Sequence, residues 1–159
     1  MNQMDIIVDF SFFMRILCTI LCGFIIGFER QTRGKPVGIR TSILITMGTM
    51  FYIYLSQTIT EGIDVGRVLG QLVTGVGFLG GGVIMTRNDI VSGVTSAAVV
   101  WLLAAIGAAI GLQRYGVAVT VTVVAFLVLV GVDWMERGYK FLQRGVHKNI
   151  RMHKHNMMQ

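Results

Sequence analysis

The sequence has few charged residues and a single proline, and both shortages restrict what it can form. Asp, Glu, Lys and Arg make up 14% of the 159 residues, whereas 53% are hydrophobic. A typical soluble domain carries about 25% charged residues. The charges also avoid the long apolar stretches, which excludes a conventional soluble core and indicates a bilayer protein. Pro36 lies between two apolar stretches, where it interrupts no helix.

Cysteine and histidine are also scarce, which limits the chemistry available to the chain. Cys18 and Cys22 lie four residues apart in the first apolar stretch, so they share a helix face and form no disulfide framework. We interpret them as packing residues, and His147, His153 and His155 as a polar tail with weak metal binding as the alternative. Because no nucleophile–base pair, ligand cluster or cofactor loop is recognisable, we expect neither an enzyme nor a resident cofactor.

Five apolar stretches are long enough to cross a bilayer as α-helices. They cover about residues 10–28, 41–58, 67–85, 95–112 and 116–132. We therefore predict an all-α bundle of about five transmembrane helices. Residues 1–133 form the membrane domain and residues 134–159 a basic cytoplasmic tail. The acidic N-terminal segment argues against a cleavable signal peptide.

The basic residues are distributed unequally between the two sides of this bundle. Eleven lie in the first loop, the third loop and the tail, and two lie in the other loops, with Arg15 near the outer end of the first helix. The positive-inside rule then predicts an N-terminus outside and a C-terminus inside. Because topology accounts for the net charge of +6, we expect no nucleic-acid partner.

The tail carries basic residues at spacings of three and four. They are Arg137, Lys140, Arg144, Lys148 and Arg151. This spacing predicts a basic amphipathic helix on the anionic inner leaflet. A solvated tail that only fixes topology is the alternative.

Polar residues recur at helical spacing inside two of the predicted helices. Asp64, Arg67, Gln71 and Thr74 form one stripe on the third helix, which we name the α3 stripe. The second helix has a similar row: Ser42, Thr46 and Thr49. Polar groups at membrane depth usually face partners or water, so the α3 stripe is our candidate functional site. The alternative is that these groups satisfy one another and fix helix register.

Charged residues also mark the inner ends of the first two helices. Glu29 and Arg30 close the first helix, and Arg40 and Thr41 open the second. From this arrangement we hypothesise a Glu29–Arg40 ion pair across the first loop.

Glycines at a four-residue spacing indicate where helices can approach one another closely. Four small-xxx-small pairs occur: residues 23 and 27, 66 and 70, 77 and 81, and 107 and 111. The third helix is crowded with Gly75, Gly77, Gly80, Gly81 and Gly82. We predict a homodimer or other homo-oligomer through these faces, with packing inside one chain as the alternative. Since no lysine or strand flanks the glycines, we expect no nucleotide site.

Three blocks of sequence together resemble a known family. The first reads GFERQ at 27–31 with GIRT at 38–41, and the second DxxRxxxQ from Asp64 with GxGFLGxGVI at 75–84. The third reads GVTSAAxxW at 93–101, including Thr95 and Trp101, followed by AAIG at 104–107. In this order they resemble the MgtC/SapB family, most closely the short, SapB-like form without a C-terminal soluble domain. Val65 and Gly70 depart from that pattern, where proline and alanine are common.

The resemblance implies a multi-pass protein of the bacterial inner membrane, linked to low-magnesium adaptation and, in pathogens, to virulence. Some members are named as magnesium transporters. Others are thought to act on partner membrane proteins, including the ATP synthase. Two hypotheses follow: a non-transporting regulator, or a cation channel lined by the second and third helices.

The acidic residues help to weigh these hypotheses. A dehydrated Mg²⁺ site uses octahedral oxygen ligands, usually with one or two carboxylates. None of the eight acids lies at the predicted membrane centre, and Arg67 would oppose cation entry. Asp64 could hold a hydrated cation, so Mg²⁺ stays open as a ligand or transported ion. We therefore favour the regulator.

Overall fold

A computed structural model of the chain describes residues 4–58, 64–87 and 90–138. Five helices in this part of the chain confirm the predicted all-α bundle. They are α1 (Met4–Thr32), α2 (Ile39–Thr58), α3 (Val65–Val83), α4 (Val94–Gly111) and α5 (Tyr115–Gly138). α3 is one continuous α-helix despite its glycines.

Three helical segments of the described chain are long and apolar enough to cross a membrane. They are Phe10–Thr32, Val94–Gly111 and Tyr115–Val132. α2 and α3 contain 20 and 19 residues, about the length needed for a bilayer hydrocarbon core. The chain is therefore a membrane protein, while the orientation with the N-terminus outside stays a prediction.

A short β-hairpin occupies the third connection, which the sequence analysis treated as a loop. Strands β1 (Met85–Arg87) and β2 (Ile90–Ser92) pair antiparallel, with Met85 opposite Ser92. α3 consequently ends at Val83, slightly earlier than predicted. The β-branched residues of β2 favour extended backbone.

Glycines allow α1, α2 and α4 to pack closely. A Cβ at Gly23 would lie 2.8 Å from the Cα of Ile43, and a Cβ at Gly27 would lie 2.6 Å from the Cα of Ile39. On α4, a Cβ at Gly107 would overlap the carbonyl oxygen of Thr46 of α2. Two of the four predicted glycine pairs, 23/27 and 107/111, therefore serve packing within the chain.

The core lies where these helices meet the first half of α5. Its buried members are Cys22, Met50, Ile106, Ile110 and Ala118. The Sγ atoms of Cys18 and Cys22 are 4.0 Å apart, and both cysteines are free thiols. Cys22 thus has the packing role that the sequence indicates.

The chain divides into two compact units, residues 1–126 and residues 127–159. The described part of the second unit is the end of α5, which continues as a helix to Gly138. Residues 139–159 lie outside the described residues, so the predicted amphipathic tail helix stays a prediction.

Candidate functional site

A cluster of charged side chains is buried at the C-terminal end of α1. Glu29 and Arg30 are each 4% exposed. The Nε atom of Arg33 lies 2.6 Å from Oε1 of Glu29, and Nη1 of Arg30 lies 4.0 Å from Oε2. Arg30 also donates from Nη2 to the Ser96 hydroxyl of α4 at 2.8 Å. We name Glu29, Arg30, Arg33 and Ser96 the buried charge cluster.

The cluster fixes the end of α1 against the start of α4. A buried charge without a partner is strongly destabilising. Here the Glu29 carboxylate compensates part of the positive charge of the Arg30 and Arg33 guanidinium groups. The cluster retains a formal excess of positive charge. In the described residues, Nε of Arg30 has no hydrogen-bond partner. Both carboxylate oxygens of Glu29 also have none, so these atoms by themselves favour neither an anion nor a cation.

The hypothesised ion pair between Glu29 and Arg40 is not formed in the described residues. Glu29 instead pairs with Arg33, which lies four residues further on, just past the end of α1, so the pair requires no contact across the loop. Arg40 and Thr41 are exposed at the start of α2. The four predicted inner-end residues thus divide into a buried pair, Glu29 and Arg30, and an exposed pair.

A second buried cation lies toward the other end of α1. Arg15 is 6% exposed, and its Cζ lies 4.9 Å from the centroid of the Tyr54 ring of α2. This geometry is a cation–π contact, which lowers the cost of removing a guanidinium from water. Arg15 has no role among the sequence-based predictions, although a cation inside an apolar span is itself a signal of a specific partner.

The α3 stripe lies on the surface of the described chain, and two of its four members make local hydrogen bonds. Asp64 is the N-cap of α3 and accepts from the Gly66 N–H at 2.8 Å. Thr74 donates from its hydroxyl to the Gly70 carbonyl at 3.1 Å. Arg67 and Gln71 are exposed. The stripe residues therefore share one helical region, but in the described chain they do not form a site with one another.

The glycines of α3 mostly face open space. A Cβ added at Gly75, Gly77, Gly81 or Gly82 would have no neighbour within 4 Å. Gly80 differs, because its Cβ would lie 3.5 Å from the Ala97 carbonyl oxygen of α4. Next to these glycines, Phe78 is 83% exposed. We name the surface formed by Gly77, Phe78 and Gly81 the open α3 face.

A cavity of about 600 Å³ lies between α2 and α3. Its polar lining residues are Thr41, Thr49, Tyr52 and Gln71, and the rest of its lining is apolar. Two members of the polar row on α2 lie elsewhere: Ser42 and Thr46 are fully buried, and the Thr46 hydroxyl donates to the Ser42 carbonyl at 2.9 Å. The row therefore does not form a continuous polar path opposite α3.

The remaining predicted residues lie on α4. Thr95 is exposed in its first turn, and Trp101 is 53% exposed beside a second cavity, between α3, α4 and α5. Within residues 4–58, 64–87 and 90–138, no group of three or more His, Cys, Asp or Glu side chains could hold a metal ion.

Sequence reasoning missed Arg33 and Ser96 as members of the buried charge cluster. Arg33 could have been found, because it follows Glu29 by four residues and lies directly after the helix end. Ser96 lies 66 residues from Arg30, and no local pattern connects them.

Comparison with known proteins identifies the family. The MgtC family model matches residues 16–138. The chain is 43% identical over 122 residues to YhiD of Escherichia coli K12, whose name proposes a magnesium transporter, covering 72% of this chain and 56% of that protein. It is 38% identical over 115 residues to protein MgtC of Salmonella typhimurium LT2, covering 72% and 49%.

An uncharacterised Haemophilus influenzae protein is 36% identical over 146 residues, covering 86% of this chain and 58% of that protein. No solved structure matches. The chain spans about half the length of the curated relatives it matches. The matched region includes the buried charge cluster, the α3 stripe and the open α3 face. The chain is therefore a membrane protein of the MgtC family.

Proposed function

We propose that this chain acts in magnesium homeostasis at a bacterial inner membrane, as a non-enzymatic, non-transporting regulator of other membrane proteins. The similarity to MgtC and YhiD supports the link to magnesium. The observation that carries the regulator role is the open α3 face, where Gly77 and Gly81 have no neighbour and Phe78 is 83% exposed.

The open α3 face has the composition of a helix–helix interface. In membranes, small residues at a four-residue spacing let two backbones approach, and van der Waals contacts then hold the helices together. Gly23 and Gly107 already illustrate this inside the chain, where each packs against α2. We propose that Gly77 and Gly81 do the same with a second copy of the chain or with a partner such as the ATP synthase.

The chemistry of the cavity between α2 and α3 supports regulation over transport. Its polar lining groups are the hydroxyls of Thr41, Thr49 and Tyr52 and the amide of Gln71. Mg²⁺ sites typically use carboxylate oxygens and retain waters. An apolar cavity with neutral polar groups offers little compensation for stripping water from a divalent cation.

Association and Mg²⁺ flux should be measured on the same purified protein. Gly77→Leu and Gly81→Leu fill the open α3 face, whereas Gly116→Leu fills a glycine position on α5 that also has no neighbour within 4 Å. We expect the first two variants to lose self-association or partner capture, measured by energy transfer in vesicles. We also expect cells that carry either variant to lose growth at low magnesium. Gly116→Leu should behave as the unmodified chain. Full activity of a Gly81→Leu protein that no longer associates would contradict the proposal.

A cation channel is the second candidate function. The position of Gln71 in the cavity lining and the name of YhiD favour it. In liposomes, it predicts Mg²⁺ flux that changes with Asp64→Asn, Arg67→Ala and Gln71→Ala. The regulator predicts no flux from protein whose fold has been verified by circular dichroism.

A further inference from the structure

A second cavity, of about 460 Å³, lies between α3, α4 and the first half of α5. Its lining is almost wholly apolar, and Arg114 is the charged residue in that lining. The cavity belongs neither to the buried charge cluster nor to the open α3 face. The apolar residues that line it include Val73, Val76, Ala105, Ala108 and Val117.

The cavity has the length of one membrane leaflet. Along α4 its lining extends from Trp101 to Leu112, which is about 17 Å of helix. Half of a bilayer hydrocarbon core is about 15 Å. Arg114 lies in the short turn that joins α4 to α5, and both helices are long and apolar enough to span. This turn therefore lies at a membrane surface, and the cavity extends inward from it.

Arg114 is available for a ligand. Its side chain is exposed, and within residues 4–58, 64–87 and 90–138 it makes no hydrogen bond or ion pair. A guanidinium group binds phosphate through paired, charge-assisted hydrogen bonds. At a membrane surface, lipid headgroups supply such phosphate groups.

We propose that this cavity holds one acyl chain of an anionic phospholipid whose phosphate is bound by Arg114. The pairing of one guanidinium group with an almost wholly apolar lining argues for a charged headgroup joined to an acyl chain. An acyl chain is thin enough to enter, and the apolar lining matches its chemistry.

Native mass spectrometry of the full chain, released from vesicles containing phosphatidylglycerol and phosphatidylcholine, tests the proposal. We expect one retained phospholipid, with phosphatidylglycerol preferred. Arg114→Gln should reduce that preference about fivefold, because one arginine near a surface contributes about that factor toward anionic lipid. Arg67→Gln is the matched control, since Arg67 is exposed on α3 and does not line the cavity.

Ala105→Phe tests the acyl-chain part of the proposal, because its ring would fill the cavity. We expect the retained lipid to be lost in this variant. Ala98→Phe, at an exposed position on α4 outside the lining, should retain it. If Ala105→Phe fails to fold, the preference of Arg114→Gln for phosphatidylglycerol over phosphatidylcholine still tests the proposal. Equal retention of the two lipids by the unmodified chain, an unchanged preference in Arg114→Gln, or a lipid-free chain would each overturn the proposal.

Discussion

The contact between α2 and α4 depends on the absence of a side chain at Gly107. A Cβ at this position would overlap the Thr46 carbonyl oxygen and would lie 3.0 Å from the Cβ of Thr49. Neither atom can rotate away, because both are fixed by the α2 backbone. Gly107→Ala therefore forces α4 away from α2 and loosens the core around Ile106 and Ile110.

Two opposing terms determine the size of this effect. Overpacking a well-packed interior costs about 1–3 kcal/mol, whereas replacing a helical glycine by alanine contributes up to about 1 kcal/mol of helix propensity. We expect Gly107→Ala to lower the free energy of unfolding by about 1–2 kcal/mol. Gly77→Ala is the matched control, because its Cβ meets no atom within 4 Å. It should leave stability unchanged or raise it by up to about 1 kcal/mol.

Reversible unfolding in mixed micelles of dodecyl maltoside and sodium dodecyl sulfate, followed by circular dichroism, measures both variants under one condition. The sign of the difference between Gly107→Ala and Gly77→Ala is the decisive result. If the two variants were equally stable, the close approach of α2 and α4 would not hold in the folded protein. Gly111→Ala gives an independent check, since its Cβ would lie 2.7 Å from the Cβ of Ile53.

Substitutions at three further positions test other features of the fold by the same unfolding measurement. Ser96→Ala leaves the buried Arg30 without that hydrogen bond and should cost about 1–3 kcal/mol, while Ser96→Thr, which keeps a hydroxyl, should cost less. Asp64→Ala removes the N-cap of α3 and should cost about 1 kcal/mol, whereas Asp64→Asn keeps a capping oxygen and should be nearly neutral. Gly93→Ala places a side chain at a φ of 89° and against the Val83 carbonyl oxygen, so it should cost at least about 2 kcal/mol, and an unaffected variant would contradict the left-handed geometry.

The helices could be predicted from the sequence because length and apolar composition alone determine them. The third connection shows the limit of that approach. Its residues 85–87 and 90–92 form a hairpin, which is too short to produce a period-two pattern distinguishable from a loop.

Contact partners were harder to predict than helices. The spacing of Gly107 and Gly111 is the same as that of Gly77 and Gly81, yet the first pair packs on α2 and the second faces open space. A small-xxx-small motif states that a close approach is possible, and the fold determines whether a neighbour is present. The Arg30–Ser96 bond depends on tertiary geometry in the same way, because its residues lie far apart in the chain.

The packing of α3 explains why its polar and glycine residues are better understood as surface features. Val76 and Gly80 are its buried residues, whereas nine residues of α4 are buried. α1, α2 and α4 therefore hold the fold together, and α3 lies beside them between two apolar cavities. Glycine lowers helix stability by about 1 kcal/mol relative to alanine, and packing inside this chain does not offset that cost at Gly77 or Gly81. A close contact outside the chain would offset it, which is why association is the first property to measure in the Gly77 and Gly81 variants.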